Sequence, residues 1–275
     1  MPQQILKNQI LPLALTVIVA GVLTVLLYIE IVFLNRLTPS DIVLQVRWYD
    51  VAIGMTIYLK TAIDFAIYIG HLMDKNPGWK SRIAIEIGTA VGNAAGTMGI
   101  LLVWTFFKEV RWLLALMVLL ASLVLFKLAE DSLEHAKREE VSPSFFAKLV
   151  HAFERMLNRF NRLIAPALKY VIPHFGLKDG AGLKFWPLFA MSFTVPFILG
   201  LDDFAGYVPL FTIVNVFGFG IGVFAGHMIL NAFLYVSPDR TIKAVKNPVI
   251  AFLGALAFIG LGIWGLIEVG RIIGH

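Results

Sequence analysis

Two aspartates stand in almost the same short sequence, each within an apolar part of the chain. Residues 64–68 read DFAIY and residues 203–207 read DFAGY. A carboxylate inside a membrane is costly, and it faces the protein interior or a water-filled cavity on an ion or substrate path. Paired carboxylates at matched positions of a repeat are typical of a transporter with a central site. Asp64 and Asp203 are therefore our first candidate ligands for a cation.

Other polar residues next to these aspartates extend the candidate site. Asp202 precedes Asp203, and two adjacent carboxylates repel each other unless a cation or a proton neutralises them. Lys60 lies one turn before Asp64 and His71 two turns after it, so a continuous helix would place all three on one face. The Lys60 ammonium then either neutralises Asp64 as a simple ion pair or occupies the cation site at rest.

The helix before the second motif contains two residues that interrupt helices. Pro196 and Gly200 precede Asp202, so we expect a break or a kink at this point. Broken helices at membrane depth expose carbonyl oxygens that can bind cations. The alternative is that the adjacent carboxylates of Asp202 and Asp203 simply reach the external surface at a helix end.

The helix that follows each aspartate offers further ligands. His227 lies in the middle of the second of these helices, where the first has Thr97. Asn93 and Asn231 are further polar residues of the same helix pair. Carboxylate, imidazole and amide or hydroxyl groups together suit a borderline divalent cation such as Mn²⁺, Zn²⁺, Cd²⁺, Ni²⁺ or Co²⁺. The chain has no cysteine, which excludes a thiolate site. A buried histidine also serves as a packing residue or a proton shuttle, and both alternatives stay open for His227.

Both copies continue with the same pattern of small residues, GxxxGxxAGxM, at residues 88–98 and 218–228. Small residues at four-residue spacing allow two membrane helices to approach closely. The glycines expected at such contacts are Gly88, Gly92, Gly96, Gly218, Gly222 and Gly226. A third shared feature, LxE, follows at residues 128–130 and 266–268. Three features in the same order favour a true repeat over chance recurrence.

The composition places the chain in a membrane. Hydrophobic residues make up 59% of the chain and charged residues 15%, whereas soluble domains carry about 25% charged residues. A membrane-spanning helix needs about 20 mostly apolar residues. The segments that meet this requirement are 9–34, 49–73, 83–107, 110–129, 184–205, 210–236 and 248–273. Glu86, near the start of the third segment, is assigned only a capping role.

We therefore predict an all-α integral membrane protein with seven transmembrane helices, which are one peripheral helix and two three-helix repeats. Because three spans are an odd number, the second repeat must enter the membrane from the opposite side, and the repeats are inverted. The bias of lysine and arginine between loops predicts a cytoplasmic N-terminus and an external C-terminus in the cell membrane. The predicted units are the first helix with its loop (1–48), repeat 1 (49–130), a basic connection (131–183) and repeat 2 (184–275).

The basic connection contains a predicted amphipathic helix at residues 142–165. Ser142 can cap it, Pro143 suits its first position, and Pro166 is expected to end it. Its apolar residues recur at three- and four-residue steps, and the basic residues that fall largely off that stripe are Lys148, Arg155, Arg159 and Arg162. Such a helix either lies on the inner leaflet against anionic lipids or packs against the protein. The lipid bilayer and these lipids are the expected partners. We expect no nucleic acid, and the sequence leaves the formation of a homo-oligomer open.

The repeated DFAxY segments, the glycine-rich helix after each and the three-span repeat resemble the lysine-exporter (LysE) superfamily of small membrane transporters. They are most similar to its metal-handling branches, the cadmium-resistance, TerC-like and manganese-exporter families. The resemblance covers the six repeat helices but neither the first helix nor residues 131–183. It implies export of a small cation across the cytoplasmic membrane, with Asp64 and Asp203 facing each other at the midplane.

The predicted function is that of a secondary transporter, an exporter of a divalent metal cation, and not that of an enzyme. The cation is the substrate, and no permanently bound cofactor is expected. The predicted metal ligands are Asp64, Asp203 and His227, and the other predicted substrate contacts are Asp202, Lys60, Asn93 and Thr97. Three alternatives stay open: a transporter of a small organic solute such as an amino acid, a membrane enzyme acting on lipid head groups, and a structural subunit of a larger complex.

Overall fold

The computed structural model describes residues 11–137, 144–168, 182–245 and 247–274, with most of their side chains. Within these ranges the chain is helical and contains no strand. The helices, in chain order, are α1 (Leu11–Leu34), α2 (Trp48–Thr61), α3 (Ile63–Lys75), α4 (Trp79–Phe107), α5 (Arg111–Lys137), α6 (Ser144–Leu168), α7 (Phe185–Tyr207), α8 (Val216–Val236), α9 (Pro238–Val245) and α10 (Pro248–Gly274). A short 3-10 helix, Val208–Thr212, links α7 to α8.

Several of these helices are long and apolar enough to cross a membrane. The five that qualify singly are Ala14–Leu34, Trp79–Phe107, Arg111–Leu133, Val216–Val236 and Pro248–Gly274. Helices α2 and α3 together form a sixth candidate that is bent by 65°. The described fold is therefore that of an all-helical, multi-pass membrane protein. The seventh predicted span, 184–205, corresponds to α7, whose described apolar part, Phe185–Phe197, is shorter than a full span.

The predicted span 49–73 is bent rather than one continuous helix, and the two helices together are still a candidate for one span. Helix α2 ends at Thr61, and α3 begins at Ile63 after the bend. The Thr61 hydroxyl donates a hydrogen bond to the carbonyl oxygen of Tyr58 at 3.1 Å. Hydroxyl bonds of this kind to the preceding turn compete with the backbone ladder and bend helices. A threonine at this position therefore favours the break.

The break separates residues that the sequence places on one helix face. Lys60 lies in α2, whereas Asp64 and His71 lie in α3. The break expected near Pro196 does not occur in the same form, because α7 runs as one helix with this proline inside it. The discontinuity thus lies in the first copy of the motif rather than in the second.

Three helix pairs make the largest contacts in the described structure. They are α5 with α10, α4 with α7, and α2 with α8. Helix α1 packs across α8 and α4, and the short helix α9 packs on α3. Each helix of residues 48–137 thus has its main partner among the helices of residues 185–274. The core of the protein lies between these two halves.

Glycines set the direction of the α2–α8 pair. Three glycines of α8 lie against α2, and the contacts in chain order are Gly218–Asp50, Gly222–Val51 and Gly226–Tyr58. A Cβ atom at residue 222 would overlap the carbonyl oxygen of Val51, so only glycine permits this approach. Both members of each contact advance together along the chain, so α2 and α8 run parallel.

The α4–α7 pair has the same geometry. Gly88 lies against Phe189 and Ser192, and Gly92 lies against Phe193, where an added Cβ atom would overlap the carbonyl oxygen. These contacts also advance together, so α4 and α7 run parallel. Gly96 is buried on the same helix.

The α5–α10 pair runs in the opposite sense. Gly262 lies against the ring of Phe126, and Gly265 lies against Ser122. One residue number rises while the other falls, so these two helices are antiparallel. The three pairs therefore comprise two parallel contacts and one antiparallel contact.

The start of α8 is fixed by side chains at one end of the bundle. The Asn215 side chain accepts hydrogen bonds from the backbone N–H groups of Phe217 (3.1 Å) and Gly218 (3.2 Å), which caps the helix. Beside Gly218, the buried carboxylate of Asp50 accepts a hydrogen bond from Nε of Arg47 at 2.6 Å. This hydrogen bond raises the pKa of the Arg47 guanidinium above its usual value.

Helix α6 corresponds to the predicted amphipathic helix. Its predicted start at Ser142 and Pro143 lies outside the described residues. It continues to Leu168, so the prediction that Pro166 ends it is wrong by two residues, a difference common at helix ends.

Three described apolar residues of α6 face the protein, whereas Met156 is exposed. Val150 and Leu157 are buried, and Phe153 packs edge-on against Phe252 of α10 with ring centroids 6.1 Å apart. The Asn161 side chain donates hydrogen bonds to the Phe126 carbonyl oxygen (3.1 Å) and, at 2.7 Å, to the Glu130 carboxylate, both in α5. The basic residues on the other side, Lys148, Arg155, Arg159 and Arg162, are exposed. Packing against the protein therefore accounts for the apolar stripe, and lipid contact of the basic face stays a prediction.

Candidate functional site

A stripe of polar side chains runs along the buried face of α8. His227, Asn231 and Tyr235 follow one another at four-residue steps, so they lie above one another on one helix face. His227 and Asn231 have no exposed surface, and Tyr235 has 1%. Buried polar groups of this kind need hydrogen-bond partners, and helices α2 and α4 supply them.

The carboxylate of Glu86, from α4, is the centre of this arrangement. It is fully buried and accepts a hydrogen bond from the Thr16 hydroxyl of α1 at 3.0 Å. Its other oxygen accepts hydrogen bonds from Nδ2 of Asn231 at 3.0 Å and from the Tyr235 hydroxyl. Among the described residues no basic side chain pairs with Glu86. Neutral donors from two other helices therefore stabilise this carboxylate.

The imidazole of His227 is held on both sides. Its Nδ1 atom lies 2.6 Å from the Tyr58 hydroxyl of α2, and its Nε2 atom lies 3.1 Å from Nδ2 of Asn231. An amide nitrogen only donates, so Nε2 accepts, and Nδ1 of the neutral ring carries the hydrogen and donates it to Tyr58. The ring of Phe65 covers the imidazole with a centroid separation of 5.4 Å. A metal ion at either nitrogen would have to displace one of these partners.

Asn231 joins the two groups, and its amide is unevenly satisfied. Its Nδ2 atom lies within 3.1 Å of three acceptor atoms, which are Oε2 of Glu86, Nε2 of His227 and Oγ1 of Thr89. An amide nitrogen has only two hydrogens, so these three acceptors share two donors. Its Oδ1 atom is buried and has no hydrogen-bond partner among the described residues. We refer to Tyr58, His227, Asn231, Glu86 and Tyr235 as the polar chain.

One end of the polar chain reaches the end of the bundle where α4 begins and α8 ends. The Tyr235 hydroxyl, whose single hydrogen is donated to Glu86, also lies 3.2 Å from the carbonyl oxygen of Arg82, and the Arg82 guanidinium donates to the carbonyl oxygen of Tyr235 at 3.2 Å. Arg82 is half-buried. The other end, Tyr58, belongs to the last turn of α2, directly before the break.

The predicted aspartates are placed by their backbones. Asp64 is the second residue of α3, just after the break, and Asp202 and Asp203 lie near the end of α7. The side chains of these three residues lie outside the described residues. The Lys60 ammonium donates to the carbonyl oxygen of Ile250 at 2.6 Å, which ties the end of α2 to the start of α10.

No hydrogen bond joins the remaining predicted ligands to one another among the described residues. His227 belongs to the polar chain, whereas Asn93 and Thr97 are buried elsewhere on α4. The Nδ2 atom of Asn93 has no partner among the described residues. Among the described side chains, which do not include those of Asp64 and Asp203, no three His, Asp or Glu residues come together as a metal site.

The helix contacts define a register between the two halves. Asp50 lies against Gly218 as Ser192 lies against Gly88, and these glycines open the two repeated patterns. Asp50 and Ser192 therefore occupy corresponding places, each against the glycine-rich helix of the other half.

This register does not bring the two motif aspartates into correspondence. Counting from these corresponding places, Asp203 lies eleven residues after Ser192. The residue eleven positions after Asp50 is Thr61, the last residue of α2. Asp64 comes three residues later, after the break. Three residues are nearly one helical turn, about 4.5 Å of rise, so the two motif aspartates are offset by this amount relative to the register of the helix contacts.

The sequence prediction missed most of the polar chain. The sequence assigns Glu86 only a capping role, but it lies seven residues inside α4, and its carboxylate accepts hydrogen bonds from three side chains. The four-residue steps of His227, Asn231 and Tyr235 are visible in the sequence and could have identified the stripe. Nothing in the sequence pairs these residues with Tyr58.

Comparison of this chain with protein-family models, curated proteins and solved structures returned no match. The resemblance to the lysine-exporter superfamily therefore stays a prediction that rests on the motifs themselves.

Proposed function

We propose that this chain is a secondary transporter of a divalent metal cation. In this proposal its two halves, residues 48–137 and 185–274, are inverted three-helix repeats that surround the substrate path. Asp64 and Asp203 bind the cation, and one half rocks against the other to open the path to each side in turn.

The directions of the three helix pairs are the observation that carries the proposal. Consecutive spans alternate in direction, so within each half the first and third helices run one way and the second runs the other. Parallel α2–α8 and α4–α7 pairs then require opposite orientations of the two halves. An in-plane twofold axis also requires that the third helices meet antiparallel, as α5 and α10 do. If the two halves had the same orientation, the α2–α8 and α4–α7 pairs would be antiparallel and the α5–α10 pair would be parallel.

The broken helix supports a site close to Asp64. Substrate sites of inverted-repeat transporters commonly use discontinuous helices, whose free carbonyl groups and helix ends bind ions. The α2–α3 break precedes Asp64 by two residues, and Lys60 and Tyr58 flank it on the other side. The buried polar chain adds ionisable groups inside the bundle, where they mark ion or substrate paths.

The test is metal flux in proteoliposomes made from the full chain, with Mn²⁺, Zn²⁺, Cd²⁺, Ni²⁺ and Co²⁺ offered separately. We expect Asp64→Asn and Asp203→Asn each to abolish flux of the transported ion. Asp74→Asn, in α3, and Asp239→Asn, in α9, are matched controls because both carboxylates are exposed. Both controls should transport normally.

Other outcomes would point elsewhere. Folded protein that moves none of these ions would overturn the proposal. Flux of an amino acid that depends on Lys60 would favour the organic-solute alternative. Turnover of a lipid by the purified protein would favour an enzyme, with the exposed basic face of α6 recruiting the lipid.

A further inference from the structure

We propose that Glu86 is a proton-binding site and that Asn231 transmits its protonation state to His227 and Tyr58. This would couple proton binding at one end of the bundle to the break that precedes Asp64. The proton site itself stands on the geometry of the polar chain, and the coupling to transport rests on the proposed function.

The position of Glu86 suits exchange of protons with water. Its carboxylate connects through the Tyr235 hydroxyl to the backbone of Arg82, whose side chain is half-buried at the bundle end. From His227 to Tyr235 the helix rises about 12 Å, so the polar chain extends from mid-helix to this end. Chains of acidic residues and histidine in this kind of setting serve proton relays in pumps and transporters.

The groups around Glu86 determine which hydrogen bonds would change when its carboxylate binds a proton. Tyr235 and Asn231 face it from α8, with His227 beyond Asn231, Arg82 precedes it on its own helix, and α1 contributes the Thr16 hydroxyl. The ionised carboxylate matches its three donors. When a proton forms an O–H bond at Oε2, that oxygen becomes a donor and no longer suits the N–H group of Asn231.

Rotation of the Asn231 amide resolves this conflict. In the structure, Oδ1 of Asn231 has no hydrogen-bond partner among the described residues. Turning the amide by 180° brings this atom to a position where it accepts a hydrogen bond from the new O–H group of Glu86. The same rotation places Oδ1 against Nε2 of neutral His227, and two acceptors cannot bond. The Asn231–His227 hydrogen bond is lost, which frees the imidazole that holds Tyr58 of α2. One proton on Glu86 is thus felt at the last turn of α2, and no other covalent bond changes.

Infrared difference spectroscopy of the full-length protein between alkaline and acid buffer tests the site directly. We expect a carboxylic-acid C=O band that Glu86→Gln removes. Glu130→Gln, a buried carboxyl of α5 outside the polar chain, should leave the band in place. Tyr235→Phe removes one donor to the ionised form, so it should change the pH range over which this band appears. Absence of a Glu86 band at every pH would overturn the proposal.

The coupling is measured in proteoliposomes that contain a pH-sensitive dye. A metal gradient should drive proton movement through the original protein, and Glu86→Gln should abolish this movement while downhill metal flux continues. Proton movement that survives in Glu86→Gln refutes the coupling. If the original protein moves no metal but shows the Glu86 band, the proposed function fails and the proton site stands. If it moves metal without that band, only the proton site fails.

Discussion

The Tyr58 hydroxyl lies 2.6 Å from Nδ1 of His227, and this contact joins α2 to α8 at the level of the helix break. It lies within the polar chain, and Tyr58 belongs to the last turn of α2 before the break. Both residues are buried, and their rings meet edge to face with centroids 5.5 Å apart. The contact therefore fixes the orientation of an imidazole that nothing in the local sequence determines.

Replacing this hydroxyl tests its importance. In Tyr58→Phe the ring stays in place, but Nδ1–H of His227 loses its acceptor inside the bundle. We expect the free energy of unfolding to fall by about 1–3 kcal/mol, the range for a buried donor left without a partner. Thermal unfolding in detergent measures this change. Tyr28→Phe, at an exposed tyrosine of α1, is the control and should unfold like the original protein.

The close contacts at glycines predict a symmetric pattern of sensitivity. Gly222→Ala and Gly92→Ala each place a Cβ atom on a carbonyl oxygen of the facing helix, Val51 and Phe193 respectively. We expect each to lower stability by about 1–3 kcal/mol, as overpacking does. Gly21→Ala has no heavy atom within 4 Å and should be neutral or slightly stabilising. Equal stability of all three variants would contradict the close approach of these helices.

Disulfide trapping tests the parallel pairs. The chain has no cysteine, so paired substitutions give no background. A Cβ atom at Gly218 would lie 3.2 Å from Cβ of Asp50, and one at Gly88 would lie 2.8 Å from Cβ of Ser192. We expect D50C/G218C and G88C/S192C both to oxidise after a small adjustment, because disulfides join Cβ atoms about 3.5–4.5 Å apart. Intact mass after alkylation counts the remaining thiols.

Trapping also has a matched control at the antiparallel pair. In S122C/G265C the Cβ atoms would lie 3.3 Å apart, whereas Gly270 has no heavy atom within 4 Å. S122C/G265C should therefore lose its free thiols, and S122C/G270C should keep both. Oxidation of the control pair with equal yield would mean that the pairing of α5 with α10 is not fixed.

The exposed basic face of α6 predicts a preference for anionic lipids. We expect Arg155→Gln with Arg159→Gln to reduce the number of anionic lipids that native mass spectrometry finds on the purified protein. Arg240→Gln with Lys243→Gln removes the same charge from the exposed face of α9 and should have a smaller effect. The difference should shrink as ionic strength rises, because salt screens exposed charges. Equal losses in the two variants would indicate a general charge effect.

The sequence by itself determines the class of this protein. Long apolar helices follow from composition alone, because lipid must solvate such a chain, and their positions match the predicted spans closely for five helices. The amphipathic α6 follows from the periodicity of its apolar residues. The spacing of glycines such as Gly92 and Gly222 marks the helix faces on which small residues lie, but it does not name their neighbours.

Only the tertiary structure decides which groups meet. Glu86 lies far in sequence from Asn231 and Tyr235, and its role depends on α4 and α8 approaching closely enough for side-chain hydrogen bonds. The break after Thr61 is likewise not specified by composition or periodicity, because hydroxyl bonds to the preceding turn also occur at Thr105 and Ser122, inside continuous helices. Periodicity records which face of a helix is buried, whereas hydrogen-bond chemistry depends on the partner helix, its direction and its register. Those are properties of packing between distant segments, and they turn a buried stripe on α8 into the polar chain.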